Sequence, residues 1–288
     1  MELGLALANL AMVNPGSMDP GVLDLSIWAL IIGVGIVAGY INTIVGGGTL
    51  LVVPLLIEVV GIDPHIANGT NRLCVAFQAA VALWVLSRKS ASPNGGAGLK
   101  ILKTIPAPVA IVVGLAALPG AWLASVLPTE ELRQALGFLV LIAVSFFMFT
   151  GTVKSESSGE TNSAGEHHFL RPGVMMTSLA CGVYGGFIGA GIGAFIILMF
   201  TSSGVEIEKA IRWKVFLVWL LSTVSGFYYL FAGNFSLSLA IPLLLAYAIG
   251  GSLGGYSIVK GSDKWLKTAV GIVSASLALL MLFGNPIF

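Results

Sequence analysis

Apolar segments long enough to cross a lipid bilayer follow one another along most of this sequence. The first covers about residues 22–45, and comparable runs recur almost to the C-terminal end. A helix of about 20 apolar residues spans the hydrocarbon core, whereas the strands of a transmembrane barrel alternate in segments of about ten residues. The continuous runs therefore predict an all-α polytopic membrane protein.

The composition agrees with this prediction and limits the kinds of partner that the protein is expected to bind. Hydrophobic residues make up 57% of the chain and charged residues 9%, where a soluble domain has about 25% charged residues. The net charge of +1 gives no argument for nucleic acid. The two cysteines, Cys74 and Cys181, lack metal-ligand spacing. We expect the lipid bilayer as a partner, no cofactor and no metal, and a homo-oligomer is compatible with these features.

Three adjacent glycines, Gly46, Gly47 and Gly48, interrupt the first apolar run. The segment at 50–60 that follows is too short to cross the bilayer at about 1.5 Å per residue, so we predict a half-length helix that returns from a break inside the membrane. Such a break has two interpretations. It could serve close helix packing through small residues, or it could free backbone N–H groups that bind a ligand near mid-membrane.

The second half of the chain repeats the plan of the first. A polar stretch at 153–168, rich in Ser, Gly and Glu, separates the halves, and at a constant offset of 143 positions Gly46 falls on Gly189 and Asn71 on Lys214. Each half is predicted to hold a glycine-broken helix pair and three spanning helices. Among these are a helix at 101–126, which Pro106, Pro108 and Pro119 are expected to kink, and a helix near 207–231. The predicted divisions are a short N-terminal helix or loop at 1–21, a first repeat at 22–151, a linker at 152–170 and a second repeat at 171–288.

Basic residues in short loops predict the orientation in the cell (inner) membrane, because such loops lie on the cytoplasmic side. They place the linker inside the cell and the loop at 232–236 outside, so the repeats are expected to be inverted, as in many secondary transporters. The N-terminal stretch at 3–13 lacks a basic leader and is expected to lie at the interface or to insert in part. The basic residues used are Arg88, Lys89, Lys100, Lys103, Lys260, Lys264 and Lys267.

Polar residues from both halves are expected to reach the middle of the membrane. Arg72 lies more than two helical turns after Pro64, and a charge at a helix centre costs about 2.5–3.5 kcal/mol, so Arg72 should face a polar cavity or a partner. Alternatively, Arg72, Arg212 and Lys214 extend their side chains to the membrane interface or form structural ion pairs. The candidate substrate-binding residues are Asn42, Thr43, Gly46, Gly47, Gly48, Thr49, Asn68, Thr70, Asn71, Arg72, Gly189, Gly191, Gly193, Arg212, Trp213 and Lys214.

A centre rich in donors and poor in acids favours an anionic substrate. Glu58 and His65 are candidates for coupling, although Glu58 could instead lie at the outer interface and His65 could be a capping or surface residue. The alternatives are a carrier of another small anion, a carrier of a metal cation or metabolite that uses these two residues, and a membrane enzyme or complex subunit. No nucleophile with a base is visible, so we predict that the chain is not an enzyme.

Two pairs of segments resemble the signatures of the sulfite exporter TauE/SafE family, also called TSUP. They are GYINTIVGGGTLLVVPLL at 39–56 with IANGTNRL at 66–73, and GVYGGFIGAGIGAFIIL at 182–198 with AIRWKVF at 210–216. The resemblance implies a permease that often exports small anions such as sulfite, thiosulfate or organosulfonates. Asn42 and Gly185 stand where relatives often have an acidic residue, so a role of that acidic side chain is not carried over.

Overall fold

The computed structural model describes residues 24–44, 46–89, 104–149, 169–257 and 264–284, which form ten helices and no strand. The predictions for 1–21, for most of the loop at 87–98 and for most of the linker at 152–170 lie outside the described residues. The helices are α1 (Leu25–Ile44), α2 (Thr49–Glu58), α3 (Pro64–Lys89), α4 (Ala107–Val126), α5 (Thr129–Phe149), α6 (Pro172–Phe187), α7 (Ile192–Ser202), α8 (Ile207–Phe231), α9 (Leu237–Ser257) and α10 (Lys264–Phe283).

Five of the described helices are long and apolar enough to cross a membrane, namely α1, α3, α4, α8 and α9. The helices α2 and α7 have 10 and 11 residues and are too short to do so. Each of them follows a glycine-containing break at the end of a longer helix. The predicted all-α polytopic membrane fold is confirmed, and both broken helix pairs are present.

Local sequence explains where two of these helices begin. The Asp63 carboxylate accepts hydrogen bonds from the backbone N–H of His65, at 2.9 Å, and of Ile66, which caps the start of α3. Helix α4 begins at Ala107 and not near residue 101, because Pro106 occupies the cap and Pro108 the first turn. The expectation that these two prolines kink the helix is wrong, since they start it.

The distribution of polar and apolar residues is the reverse of that in a water-soluble protein. Large apolar side chains such as Leu115 and Leu245 are exposed on the outer face of their helices. Asn68, Asn71 and Arg72 are buried instead. Because lipid is as apolar as a protein core, this arrangement is stable only in a membrane.

Glycines allow the long helices to pack closely. Helix α1 packs along α9, and α6 packs along α4. A Cβ atom added to Gly250 would lie 2.1 Å from the carbonyl oxygen of Ile36, and one added to Gly186 would lie 2.0 Å from that of Ala117. Such contacts let backbones approach in lipid, where dispersion and not water exclusion holds helices together. They also bring the two broken helices towards the same central region.

Candidate functional site

The two glycine breaks meet inside the protein. Gly46 has a φ of +94°, a conformation that favours glycine, and a Cβ atom added to it would lie 2.3 Å from the Cα atom of Gly193. A side chain at position 46 would therefore displace the start of α7. The close approach places the α1–α2 break of the first half directly against the α6–α7 break of the second.

Arg72 extends from α3 to the second of these breaks. Its guanidinium lies against Gly189, where an added Cβ atom would come within 2.3 Å of Nη2 and 2.4 Å of Nη1. Arg72 is 1% exposed, and its Nε and Nη2 atoms have no hydrogen-bond partner among the described residues. A buried cation without a partner is costly, so this guanidinium offers donors for a ligand.

Three tyrosines lie close enough to Arg72 to act on it electrostatically: Tyr184, Tyr229 and Tyr247. Their hydroxyl groups donate elsewhere. The hydroxyl of Tyr247 donates to Asn71 Oδ1 at 2.6 Å, that of Tyr229 donates to the carbonyl of Phe187 at 3.0 Å, and that of Tyr184 donates to the backbone carbonyl of Ala190. These three hydroxyl groups thus donate to other acceptors, and none of these hydrogen bonds uses a donor of the guanidinium.

Lys214 lies at the other break. Helix α8 carries it to the C-terminal end of α1, where Nζ donates to the carbonyl oxygens of Thr43 at 2.6 Å and Asn42 at 3.2 Å. The side chain is 1% exposed. These carbonyls are left without intrahelical partners where α1 ends, and they form the negative end of the helix dipole. Lys214 therefore satisfies the end of a broken helix with a positive charge.

The end of α6 is satisfied by neutral groups from both halves. Asn68 on α3 donates through Nδ2 to the carbonyl of Phe187 at 2.7 Å, and the Tyr229 hydroxyl donates to the carbonyls of Gly186 and Phe187. Side chains of α3 and α8 thus hold the ends of both broken helices.

Gln78 joins the polar groups of the first half, although sequence analysis did not single it out. Its Oε1 atom accepts from Asn42 Nδ2 at 2.6 Å, and its Nε2 atom donates to the Thr43 hydroxyl. Gln78 lies seven residues after Asn71 on the buried face of α3, so an isolated amide in an apolar helix was the available signal. The space that Asn42, Thr43, Gln78 and Lys214 line is too narrow for a water molecule.

Other predicted site residues have different surroundings. The Asn71 amide donates to the Thr49 hydroxyl at 3.3 Å within the central region. Thr70 accepts from the backbone N–H of Ser236 and so holds the loop before α9. Arg212 forms a partly exposed ion pair with Glu208 at 2.7 Å. Trp213 packs edge to face on Phe200 and donates to Thr104. Arg212 and Trp213 thus contact neighbours of their own and are not joined to the breaks by these contacts.

Glu58 lies in a buried ion pair, whereas the sequence left it free for coupling or placed it at the interface. Arg133 on α5 donates from Nε to Oε1 at 2.8 Å and from Nη2 to Oε2 at 3.0 Å, and the two side chains are 1% and 4% exposed. Sequence analysis missed Arg133 because charges are ordinary in the first turn of a helix. His65 is half-buried at the start of α3.

Comparisons with known proteins agree with the membrane architecture. The family model described as sulfite exporter TauE/SafE matches residues 31–281. A probable membrane transporter protein, ORF9, from Sinorhizobium is 28% identical over 85% of this chain and 88% of its own length. The comparison with solved structures gives no match.

Two further relatives have the same kind of name. The probable membrane transporter protein YfcA of Escherichia coli is 25% identical over 88% of each chain. A probable membrane transporter protein of Haemophilus influenzae is 26% identical over 90% of this chain and 96% of its own. With the family match, these names indicate a membrane transporter and not an enzyme. This chain belongs to the sulfite exporter TauE/SafE family.

Proposed function

We propose that this protein is a secondary transporter that exports small sulfur-containing anions such as sulfite, thiosulfate or organosulfonates. The substrate would bind at the central site between the repeats and be exposed to each side in turn. The observation that carries the proposal is the buried guanidinium of Arg72, which lies against Gly189 with Nε and Nη2 unpartnered. A guanidinium is a planar set of donors that matches the oxygens of an oxyanion.

Backbone donors next to Arg72 add to the attraction for an anion. Among the hydrogen bonds of residues 169–257, none is donated by the N–H groups of Ala190 and Gly191, which precede α7. These groups stand at the positive end of a helix dipole, where anions bind in many proteins. Arg72 of the first half, which lies against Gly189, and the start of α7 in the second half thus both supply donors to the central region.

The position of Glu58 argues against a carrier of metal cations or cationic metabolites. Both carboxylate oxygens of Glu58 accept from Arg133, so this acid is already neutralised. In the described part of the chain, no group of three or more His, Cys, Asp or Glu residues could hold a metal ion. We therefore favour the anion over the cation substrate class.

The packing of helices supports inverted repeats. Exchanging α1–α5 with α6–α10 in chain order turns the α1–α9 contact into the α6–α4 contact, and the α3–α9 contact into the α8–α4 contact. The contacts α3–α8 and α5–α10 then map onto themselves. This correspondence is what two related halves around a shared site would produce, and inverted halves give transporters their two access states. The narrow space around Lys214 would have to widen in that cycle.

Sulfite efflux from liposomes that contain the purified protein tests the proposal. We expect Arg72→Gln to lower the rate about 10- to 100-fold, because a hydrogen bond to a charged group contributes about 1.5–3 kcal/mol. Arg88→Gln is the matched control, since Arg88 lies on the same helix but is exposed and stacks over Trp84. Thiosulfate in the same compartment should compete with sulfite. Efflux that Arg72→Gln leaves unchanged would contradict the proposal.

A further inference from the structure

The ends of the two broken helices are satisfied by groups of different charge. The Asn42 and Thr43 carbonyls of α1 receive the ammonium of Lys214. The equivalent end of α6 receives hydrogen bonds from the neutral amide of Asn68 and the neutral hydroxyl of Tyr229, and the guanidinium of Arg72 lies beside it against Gly189. At the end of α1 the cation itself donates to the carbonyl oxygens. This direct contact between the ammonium of Lys214 and two carbonyls calls for a separate explanation.

The surroundings of the ammonium resemble those of a bound monovalent cation. Carbonyl oxygens of Asn42 and Thr43 contact Nζ, and Thr43 and Gln78 also line the narrow space around it. The other residues that line this space are Ala79, Val215 and Val218, so no carboxylate is among them. Unwound carbonyls and half-helix C-terminal ends are the ligands with which transporters coordinate Na⁺.

We propose that the ammonium of Lys214 is a tethered cation that fills a monovalent-cation site built from the oxygens of Asn42, Thr43 and Gln78. Because the cation is attached to α8, the end of α1 is neutralised without a dissociable alkali ion. One consequence rests on the proposed function: with Lys214 in this site, anion transport proceeds without Na⁺ as the coupling ion. Removing the ammonium should turn the same oxygens into an alkali-cation site.

Thermal unfolding of the purified protein in detergent tests this assignment. The midpoint is compared in NaCl, LiCl, KCl and choline chloride at equal ionic strength. We expect Lys214→Ala to unfold about 5–10 °C higher in at least one alkali chloride than in choline chloride, because a cation that binds the folded state stabilises it. The wild type should unfold at the same temperature in all four salts.

Lys214→Met is the matched control, because its side chain fills the space of the lysine stem without a charge. Its midpoint should not depend on the cation. Equal midpoints for Lys214→Ala in all four salts would overturn the assignment, as would a wild type stabilised by an alkali ion. If Lys214→Ala does not fold in choline chloride, recovery of folded protein in an alkali chloride supports the site, and failure in every salt overturns it.

The measurement does not involve transport, so it separates this inference from the proposed function. Loss of the cation response would leave the anion site at Arg72 untouched. Conversely, absence of sulfite flux would leave the cation site standing if Lys214→Ala responds to alkali ions.

Discussion

Arg72 and Arg133 are both buried arginines, yet the protein treats their charges differently. Arg133 forms two hydrogen bonds with Glu58 and a third, at 3.0 Å, with the carbonyl of Leu280. Arg72 has Nε and Nη2 unpartnered. Burial removes the hydration of both side chains, so each charge needs partners inside the protein. Within the described structure, Arg133 has such partners, whereas Nε and Nη2 of Arg72 do not. This contrast is why we place the ligand at Arg72.

The first prediction follows for Arg133. We expect Glu58→Gln to destabilise the protein by up to about 3–5 kcal/mol, because it leaves the buried charge of Arg133 paired only with the exposed Glu130, at 3.3 Å, among the described residues. The double variant Glu58→Gln with Arg133→Met should regain most of that loss, since it removes the charge as well. The measurement is the unfolding midpoint of each purified variant in detergent. A double variant no more stable than Glu58→Gln alone would show that the ion pair is not the cause.

The second prediction concerns Arg72, where removal of the charge is expected not to destabilise the protein. Arg72→Met replaces an uncompensated cation with an apolar side chain of similar length, so we expect stability to be unchanged or to rise by about 1–2 kcal/mol while anion binding is lost. Arg133→Met serves as the comparison and should be clearly destabilising. If Arg72→Met lowered stability as much as Arg133→Met does, Arg72 would be a structural residue with partners of its own.

Single residues of the site were predictable from the sequence to different degrees. Asn68, Arg72 and Lys214 stand out because polar side chains are rare inside apolar helices. Their partners do not stand out: Lys214 meets Asn42 across 172 positions, and Gln78 meets it across 36. These pairings depend on which helices pack together, which no local pattern contains.

At the scale of helices, apolar length and breaks carried most of the information. Helix α8 covers Ile207–Phe231, which are the predicted bounds, because charged and glycine residues mark both of its ends. Helix α4 begins six residues later than predicted because the prolines stop the chain from turning earlier. The close glycine contacts between α1 and α9 and between α4 and α6 could not be foreseen, since each requires two distant segments.

The third prediction tests this packing. A Cβ atom at Gly186 would lie 2.0 Å from a backbone carbonyl of α4, which cannot move without shifting the helix. We expect Gly186→Ala to destabilise the protein by several kcal/mol, on the order of other overpacked cores. Gly33→Ala is the control: no atom lies within 4 Å of its added Cβ, and alanine favours the helix by about 1 kcal/mol. Equal unfolding midpoints for the two variants would refute the close packing of α4 and α6.

In the whole molecule, both halves contribute residues to one central region. Arg72 of the first half lies against Gly189 of the second, and Lys214 of the second half contacts the end of α1 in the first. A repeat was predictable from the spacing of glycines. The sequence did not predict that residues of each half contact the broken helix of the other, because these contacts depend on how the two halves pack together.

The fourth prediction concerns the inverted orientation of the halves. Ser92→Cys places a thiol in the stretch at 87–98, which the sequence predicts to be a cytoplasmic loop, and Ala232→Cys places one in the loop at 232–236, which is predicted to lie outside the cell. The native Cys74 and Cys181 are buried and should react little. A membrane-impermeant maleimide should label position 232 from outside the cell and position 92 only from the cytoplasmic side. Labelling of both from the same side would contradict inverted repeats.

Binding of sulfite to the purified protein tests whether Arg72 holds the transported anion. An anion held by Arg72 stabilises the folded state, by about 2.7 kcal/mol at a concentration one hundred times its dissociation constant. We predict that sulfite raises the unfolding midpoint of the wild type and of Arg88→Gln above that in chloride of equal ionic strength, and leaves Arg72→Gln unchanged. An equal rise in Arg72→Gln, or no rise in the wild type, would contradict the claim.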